Sequence, residues 1–206
     1  MKSLLLIQPK ALLKKVYPKA IWNFTRSEKT IYLTFDDGPI PELTEWVLDE
    51  LNKFQIKATF FCVGANIIRN RSIFERLISE GHQVANHTMF HTKGLKTSTR
   101  DYLKDVEGCE IMTNTKVFRP PYGKMKQSQY KALLKRGYKI VMWDVISYDY
   151  EKISPQKVWS KVLNNTKNGS VVLFHDNLKA VNNLKFALPK FLKHYSELGY
   201  SFKTIA

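Results

Sequence analysis

The chain has 206 residues, 44% hydrophobic and 13% aromatic, with a formal net charge of +15 and a pI of about 9.7. This length suits one α/β domain with a real core and is short for two, and the apolar content excludes an intrinsically disordered chain. The charge suits an ordinary basic surface or an anionic partner. With the lysines dispersed and no nucleic-acid-binding motif in the chain, an acidic glycan or a phospholipid surface fits better than nucleic acid.

The chain opens with Met1-Lys2 and the run Ser3-Leu4-Leu5-Leu6-Ile7, which stops at Gln8-Pro9-Lys10. That run is too short for the core of a signal peptide, and no small-residue cleavage site follows. Over residues 4–24, Leu12, Leu13, Val16, Ile21 and Trp22 mix with Lys10, Lys14, Lys15 and Lys19. The pattern fits an N-terminal helix covering the domain, or a basic amphipathic segment in peripheral contact with a membrane. No stretch is long enough to cross a bilayer. The expected location is the cytoplasm or the membrane periphery.

Strand-like runs follow at 31–35, 58–63, 83–86, 117–119, 138–143, 170–174 and 201–205. Helical windows lie between them at 43–54, 67–80, 99–113, 127–136, 155–166 and 181–198. Ser154 before Pro155 reads as a helix start. Gly81, Gly137, Gly169 and Gly199 each follow a helical window and suit a left-handed cap. Pro189 should kink the last helix or mark its true start. Cys62 reads as a small buried hydrophobe and Cys109 as a helix residue, with nothing in the spacing asking for a disulfide. The alternation predicts a distorted (β/α)7 barrel or an open parallel sheet, with helices outside.

Five short segments carry chemistry: Asp36-Asp37-Gly38-Pro39, His87 to His91, Arg119-Pro120-Pro121-Tyr122, Asp149-Tyr150 and Leu173-Phe174-His175. All fall at or just past the C-terminal ends of strand-like runs, where sites gather in parallel barrels. Asp36 and Asp37 point in different directions on leaving the strand, so one can bind a metal while the other faces its water. A helical turn would put His87 and His91 on one side, with about 5–6 Å between their Cβ atoms. One carboxylate and two imidazoles leave an open position, as a catalytic metal requires. Of the five histidines, His82 reads as structural and His194 as a solvated helix residue. The prolines aim Arg119 and leave the Tyr122 N–H to face an oxyanion. His175 fits a proton donor, and Leu173 points the same way as an apolar wall for a small acyl group.

Together these segments resemble, in order and over about residues 30–205, the NodB-homology polysaccharide deacetylases, carbohydrate esterase family 4. The resemblance implies a seven-stranded distorted barrel and metal-dependent removal of acetyl groups from N-acetylated sugars. It implies Asp36 as base, Asp37, His87 and His91 as ligands of Zn2+ (or Co2+ or Ni2+), and Arg119 orienting the base. Asp149 would tune His175, the general acid. Tyr122, Leu173, Pro120 and Tyr150 would contact the acetylated glycan, an anionic or lipid-linked one included. Two positions depart from the family pattern: Tyr150 stands where Trp is usual, and Ile146 where Asp is often found. The expected division is a basic segment over 1–28 and a catalytic domain over 29–206. An O-acetyl esterase and a non-catalytic glycan- or lipid-binding barrel are the competing readings.

Overall fold

The computed structural model describes residues 11–205. The apolar run at 3–7, Lys10 and the side chain of Leu12, on which the amphipathic reading partly rests, lie outside the described residues. In chain order the elements are α1 (Ala11–Val16), β1 (Thr30–Asp36), α2 (Leu43–Lys53), β2 (Thr59–Cys62), α3 (Gly64–Arg69), α4 (Arg71–Ser79) and β3 (Gln83–Asn86). Then come α5 (Thr99–Thr113), β4 (Val117–Phe118), α6 (Gln127–Lys135), β5 (Lys139–Ile140), β6 (Val145–Ile146), α7 (Pro155–Asn165), β7 (Ser170–His175), α8 (Val181–Glu197) and β8 (Ser201–Phe202).

The strands are ordered β5-β4-β3-β2-β1-β7-β6, every pairing is parallel, and β8 adds beside β1. The sheet curls into a half barrel ringed by helices, as the alternation predicts. Strand periodicity of two explains how it is filled. Ile31, Leu33 and Phe35 of β1 face outward into the core under the helices, with Phe60, Phe174 and Phe191. Burying each such side chain contributes about 1.5–3 kcal/mol. The alternate positions, Thr34 and Asp36, share the concave side with Phe61, Ala85, Val141 and Val171.

The run at 138–143 is not one strand. Only Lys139–Ile140 of it is a strand (β5), and the next strand, β6 (Val145–Ile146), begins beyond it at the opposite end of the sheet order. Asp144 is the reason: its carboxylate accepts from Val171 N–H at 2.7 Å and Ser170 Oγ at 3.0 Å, and pairs with Arg26 at 2.7 Å. These bonds carry the chain from the β5 edge across to β7. The N-terminal segment spans the same gap. Ile21 N–H donates to Ile140 O and Phe24 N–H to Gly169 O, both at 2.8 Å. Tyr17 and Trp22 are buried beside them.

Other expectations need correction. The window at 67–80 breaks at Asn70, whose side-chain amide donates to the Pro39 and Asn66 carbonyls at 3.0 and 3.2 Å. The last helix neither starts nor stops at Pro189. A buried stripe including Leu184, Leu188, Phe191 and Leu192 holds it, against an interior-proline penalty of roughly 3 kcal/mol. His194 is half-buried, its ring edge-on to those of Trp159 and Tyr195, rather than solvated. His82 is buried and accepts from Ala58 N–H at 3.2 Å, and burial pulls its pKa down to about 4. Cys62 and Cys109 are buried free thiols.

Gly81, Gly137 and Gly199 close their helices at positive φ, as expected. Gly169 does not cap a helix. It sits at φ +69° in the turn before β7, and a Cβ there would lie 2.1 Å from Thr25 O. At Gly199 (φ +72°) a Cβ would meet nothing within 4 Å. Gly199→Ala should therefore cost about 1–2 kcal/mol of left-handed strain. Gly169→Ala should cost roughly 1–3 kcal/mol more, through overlap with backbone that cannot swing away. Urea titrations of both variants check the ranking.

Candidate active site

The segments at the C-terminal strand ends converge on one cleft of about 730 Å³. Its floor is the Asp36–Arg119 pair. Asp36 closes β1, and Arg119 follows β4 with no solvent exposure at all. The guanidinium donates to Asp36 Oδ1 at 2.6 Å, Thr34 Oγ1 at 3.0 Å, Met142 O at 2.9 Å and Val141 O at 3.3 Å. It also lies 3.9 Å from the Phe61 ring centroid. Burial pulls the Arg119 pKa down, while the charge and hydrogen bond of Asp36 oppose that shift.

Asp37, His87 and His91 form the second group. One ligand atom from each lies within 4.8 Å of the others. Asp37 Oδ1 stands 3.1 Å from His91 Nε2 and 3.5 Å from His87 Nε2. His87 Nδ1 lies 2.8 Å from Arg119 O, which fixes the tautomer with a proton on Nδ1 and leaves Nε2 as a donor atom. Burial works against the Asp37 charge, but hydrogen bonds to His87 and His91 outweigh it and hold the carboxyl far below the usual range. No helical turn brings the histidines together. Thr88 (φ 66°) and His91 (φ 54°) take left-handed conformations in an irregular loop, and the imidazole centroids end 5.1 Å apart. That loop is held by Met89 N–H on Asp105 O, and by Ala65 N–H on Met89 O.

His175 ends β7 directly in register with Asp36 on β1. Its Nδ1 is 2.8 Å from Asp149 Oδ1, and its backbone N–H donates to Asp149 Oδ2 at 2.8 Å. Burial disfavours the imidazolium, but the charge and hydrogen bond of Asp149, helped by Asp37 and Asp36, push the pKa up to about 9.

Leu173 lies beside Ile146 in the β6–β7 register, and both line the cleft with Trp143. Tyr122, half exposed at φ 60°, stands with its ring 4.7 Å from that of His91. Tyr150 sits edge-on to His175 at 4.7 Å. Pro120 is buried beneath the Tyr122 turn and does not line the cleft. Two residues directly after His175 escaped the sequence reading. Asn177 donates to Asp37 Oδ2 at 2.5 Å. The buried Asp176 accepts from Gly38 N–H at 3.1 Å and Thr44 Oγ1 at 2.6 Å. A polar pair ending an apolar strand was their only signal.

The family model for polysaccharide deacetylases matches residues 24–141. A peptidoglycan-N-acetylglucosamine deacetylase of Bacillus cereus is 32% identical over 192 residues, 90% of each chain. A chitooligosaccharide deacetylase of Bradyrhizobium is 32% identical over 72% of this chain and 71% of its own. Some relatives are longer, and the chain spans 55% and 39% of two of them. A crystal structure of a peptidoglycan N-acetylglucosamine deacetylase, in complex with 4-naphthalen-1-yl-N-oxidanyl-benzamide, superposes with a TM-score of 0.86 at 31% identity, covering 91% of both chains. The chain belongs to the polysaccharide deacetylase family.

The His175–Asp149 pair makes stability depend on pH. Its folded pKa of about 9 exceeds the ordinary 6.5, so the native state holds a proton that the unfolded chain loses first. The stabilisation is complete below about pH 6.5 and fades as pH rises through about 9. In metal-free protein, urea midpoints of wild type should fall across that window. Asp149→Asn should flatten this component.

Proposed function

We propose that the protein is a metal-dependent N-deacetylase acting on N-acetylated sugars of a glycan. The observation that carries this reading is a pair of carboxylates held apart in role. Asp37 joins two imidazoles in a compact donor set, while Asp36 is tied to Arg119 beside it.

The donor set fits a divalent cation. Two neutral nitrogens and one carboxylate suit Zn2+ first, with Co2+ and Ni2+ acceptable to the same ligands, and three protein ligands leave a position open. Asn177 holds the second oxygen of Asp37, and the Arg119 carbonyl orients His87, as outer partners of metal ligands do. A cation bound there would lower the pKa of water and polarise a carbonyl oxygen.

The residues of this chain then divide the proton work. Asp36, aimed by Arg119, takes the proton that water loses as it attacks the acetyl carbon. The Tyr122 N–H faces the developing oxyanion, a contribution typically of about 3–4 kcal/mol. His175, kept cationic by Asp149, gives its proton to the departing amine nitrogen, which leaves poorly as an anion. Leu173 and Ile146 wall the acetyl methyl from water. Pro120 shapes the turn that presents Tyr122, and Tyr150 closes the side next to His175.

An ester would use the same groups but lean less on His175, because an alcohol leaves more easily than an amine. The charged His175 is the feature that favours the amide. Acetate release from an N-acetylated chito-oligosaccharide should vanish after chelation and return with Zn2+, Co2+ or Ni2+. His175→Ala should lower kcat by about 10²–10⁴-fold with little change in KM. Near-normal turnover would remove His175 from this role, and a paired O-acetylated substrate should show the smaller loss. A chain that takes up no metal and releases no acetate would be a binding barrel instead.

A further inference from the structure

We propose that Arg69, Lys93 and Lys179 form a cationic rim that binds carboxylates on the glycan, so that the site takes an acidic N-acetylated glycan over a neutral one. This rests on the deacetylase reading above. The three residues come from separate segments around the cleft. Arg69 ends α3, Lys93 lies just past His91, and Lys179 lies just past Asn177. Arg69 and Lys179 line the cleft itself. Lys93 holds its ammonium 5.1 Å over the Tyr122 ring, whose other neighbour is His91.

The cleft lining contains only two carboxylates, and both are occupied. Asp36 is bound by Arg119, and Asp37 by His87, His91 and Asn177. Among the described residues, no carboxylate lies within ion-pair distance of Arg69, Lys93 or Lys179. Elsewhere Arg100 and many lysines, among them Lys57, Lys104 and Lys157, likewise have no acidic partner, while several arginines do. Arg26, Arg71, Arg76 and Arg136 each hold an acidic partner. With 33 basic against 18 acidic residues, unpaired cations are common on the surface, and what distinguishes these three is their place around the cleft.

Exposed cations around a concave, partly apolar site focus the potential there and raise the local concentration of anions. A guanidinium also offers a carboxylate two parallel donors. The relatives act on two kinds of glycan, peptidoglycan and chitooligosaccharide. The first carries carboxylates on its peptide stems, or on the lactyl ether where no stem is attached. The second carries none, and leaves the rim without a partner. The rim thus separates substrates that the catalytic groups, which see only the acetamide, treat alike.

The test uses the full chain loaded with Zn2+ and soluble peptidoglycan fragments, with their carboxylates either free or methyl-esterified. Affinity and acetate release are read separately. Each exposed ion pair contributes roughly 1.4- to 5-fold, so the free form should bind about 5- to 20-fold tighter at 50 mM salt. That preference should shrink towards parity near 0.5 M salt, where the Debye length is only about 4 Å. The double variant Arg69→Gln/Lys179→Gln should lose most of the preference. The charge-keeping pair Arg69→Lys/Lys179→Arg should retain it, which separates charge from folding. Equal affinity for both fragments at low salt, or an undiminished preference in the Gln variant, would overturn the rim. Absence of acetate release from both fragments, with the affinity difference intact, would instead sink the deacetylase reading.

Discussion

Arg119 is sealed from solvent against Asp36, and the positions of the other site residues follow from that ion pair. A buried guanidinium is tolerable only when its donors are satisfied. Here they reach β1 through Asp36 and Thr34, and the segment after β5 through Val141 and Met142. The same residue's carbonyl takes the Nδ1 proton of His87. One residue therefore crosses the concave face, orients Asp36 through its side chain and, through its backbone, sets the His87 imidazole. The pair holds one oxygen of Asp36 on Arg119, while His87 Nε2 lies 3.5 Å from Asp37 Oδ1 and 3.8 Å from the other oxygen of Asp36.

Around that pair the protein concentrates backbone conformations that non-glycine residues seldom adopt. Asp37, His91 and Tyr122 have positive φ and line the cleft, and Thr88, also at positive φ, is buried in the histidine loop. Such residues each cost about 1–3 kcal/mol and persist where their surroundings over-determine them. The surroundings are visible. Asn66 donates to the Asp37 carbonyl at 2.7 Å, Asn177 to its carboxylate, and the α3 start and α5 clamp the histidine loop. Rigid strand ends supply Asp36 and His175. Strained loops supply Asp37, His91 and the Tyr122 side of the cleft.

The β-α alternation, the motif residues and their place at strand ends were legible in the sequence, because each depends on local periodicity or on residue chemistry. Outward Ile31, Leu33 and Phe35 alternating with inward Thr34 and Asp36 are one such pattern. The failures share a different cause. The strand expected over 138–143 stops at Ile140, and the chain then crosses the sheet through Asp144 reaching Ser170 and Val171, a contact between distant segments. Gly169 looked like a helix cap, yet its conformation is demanded by Thr25 and Phe24 packing against it. A helix start at Pro189 is one reading of its intrinsic propensity, and the buried face of α8 carries the helix through it.

Residue type and order alone determined the chemistry available to this protein: carboxylates, imidazoles and one guanidinium at the ends of parallel strands. The tertiary structure decided how those groups meet. His175 faces Asp36 only because β7 pairs with β1 in that register, and Asn177 reaches Asp37 only through the same pairing. The reason is that sheet neighbours are chosen by packing across more than a hundred residues, and the local sequence carries no record of which strand will lie alongside.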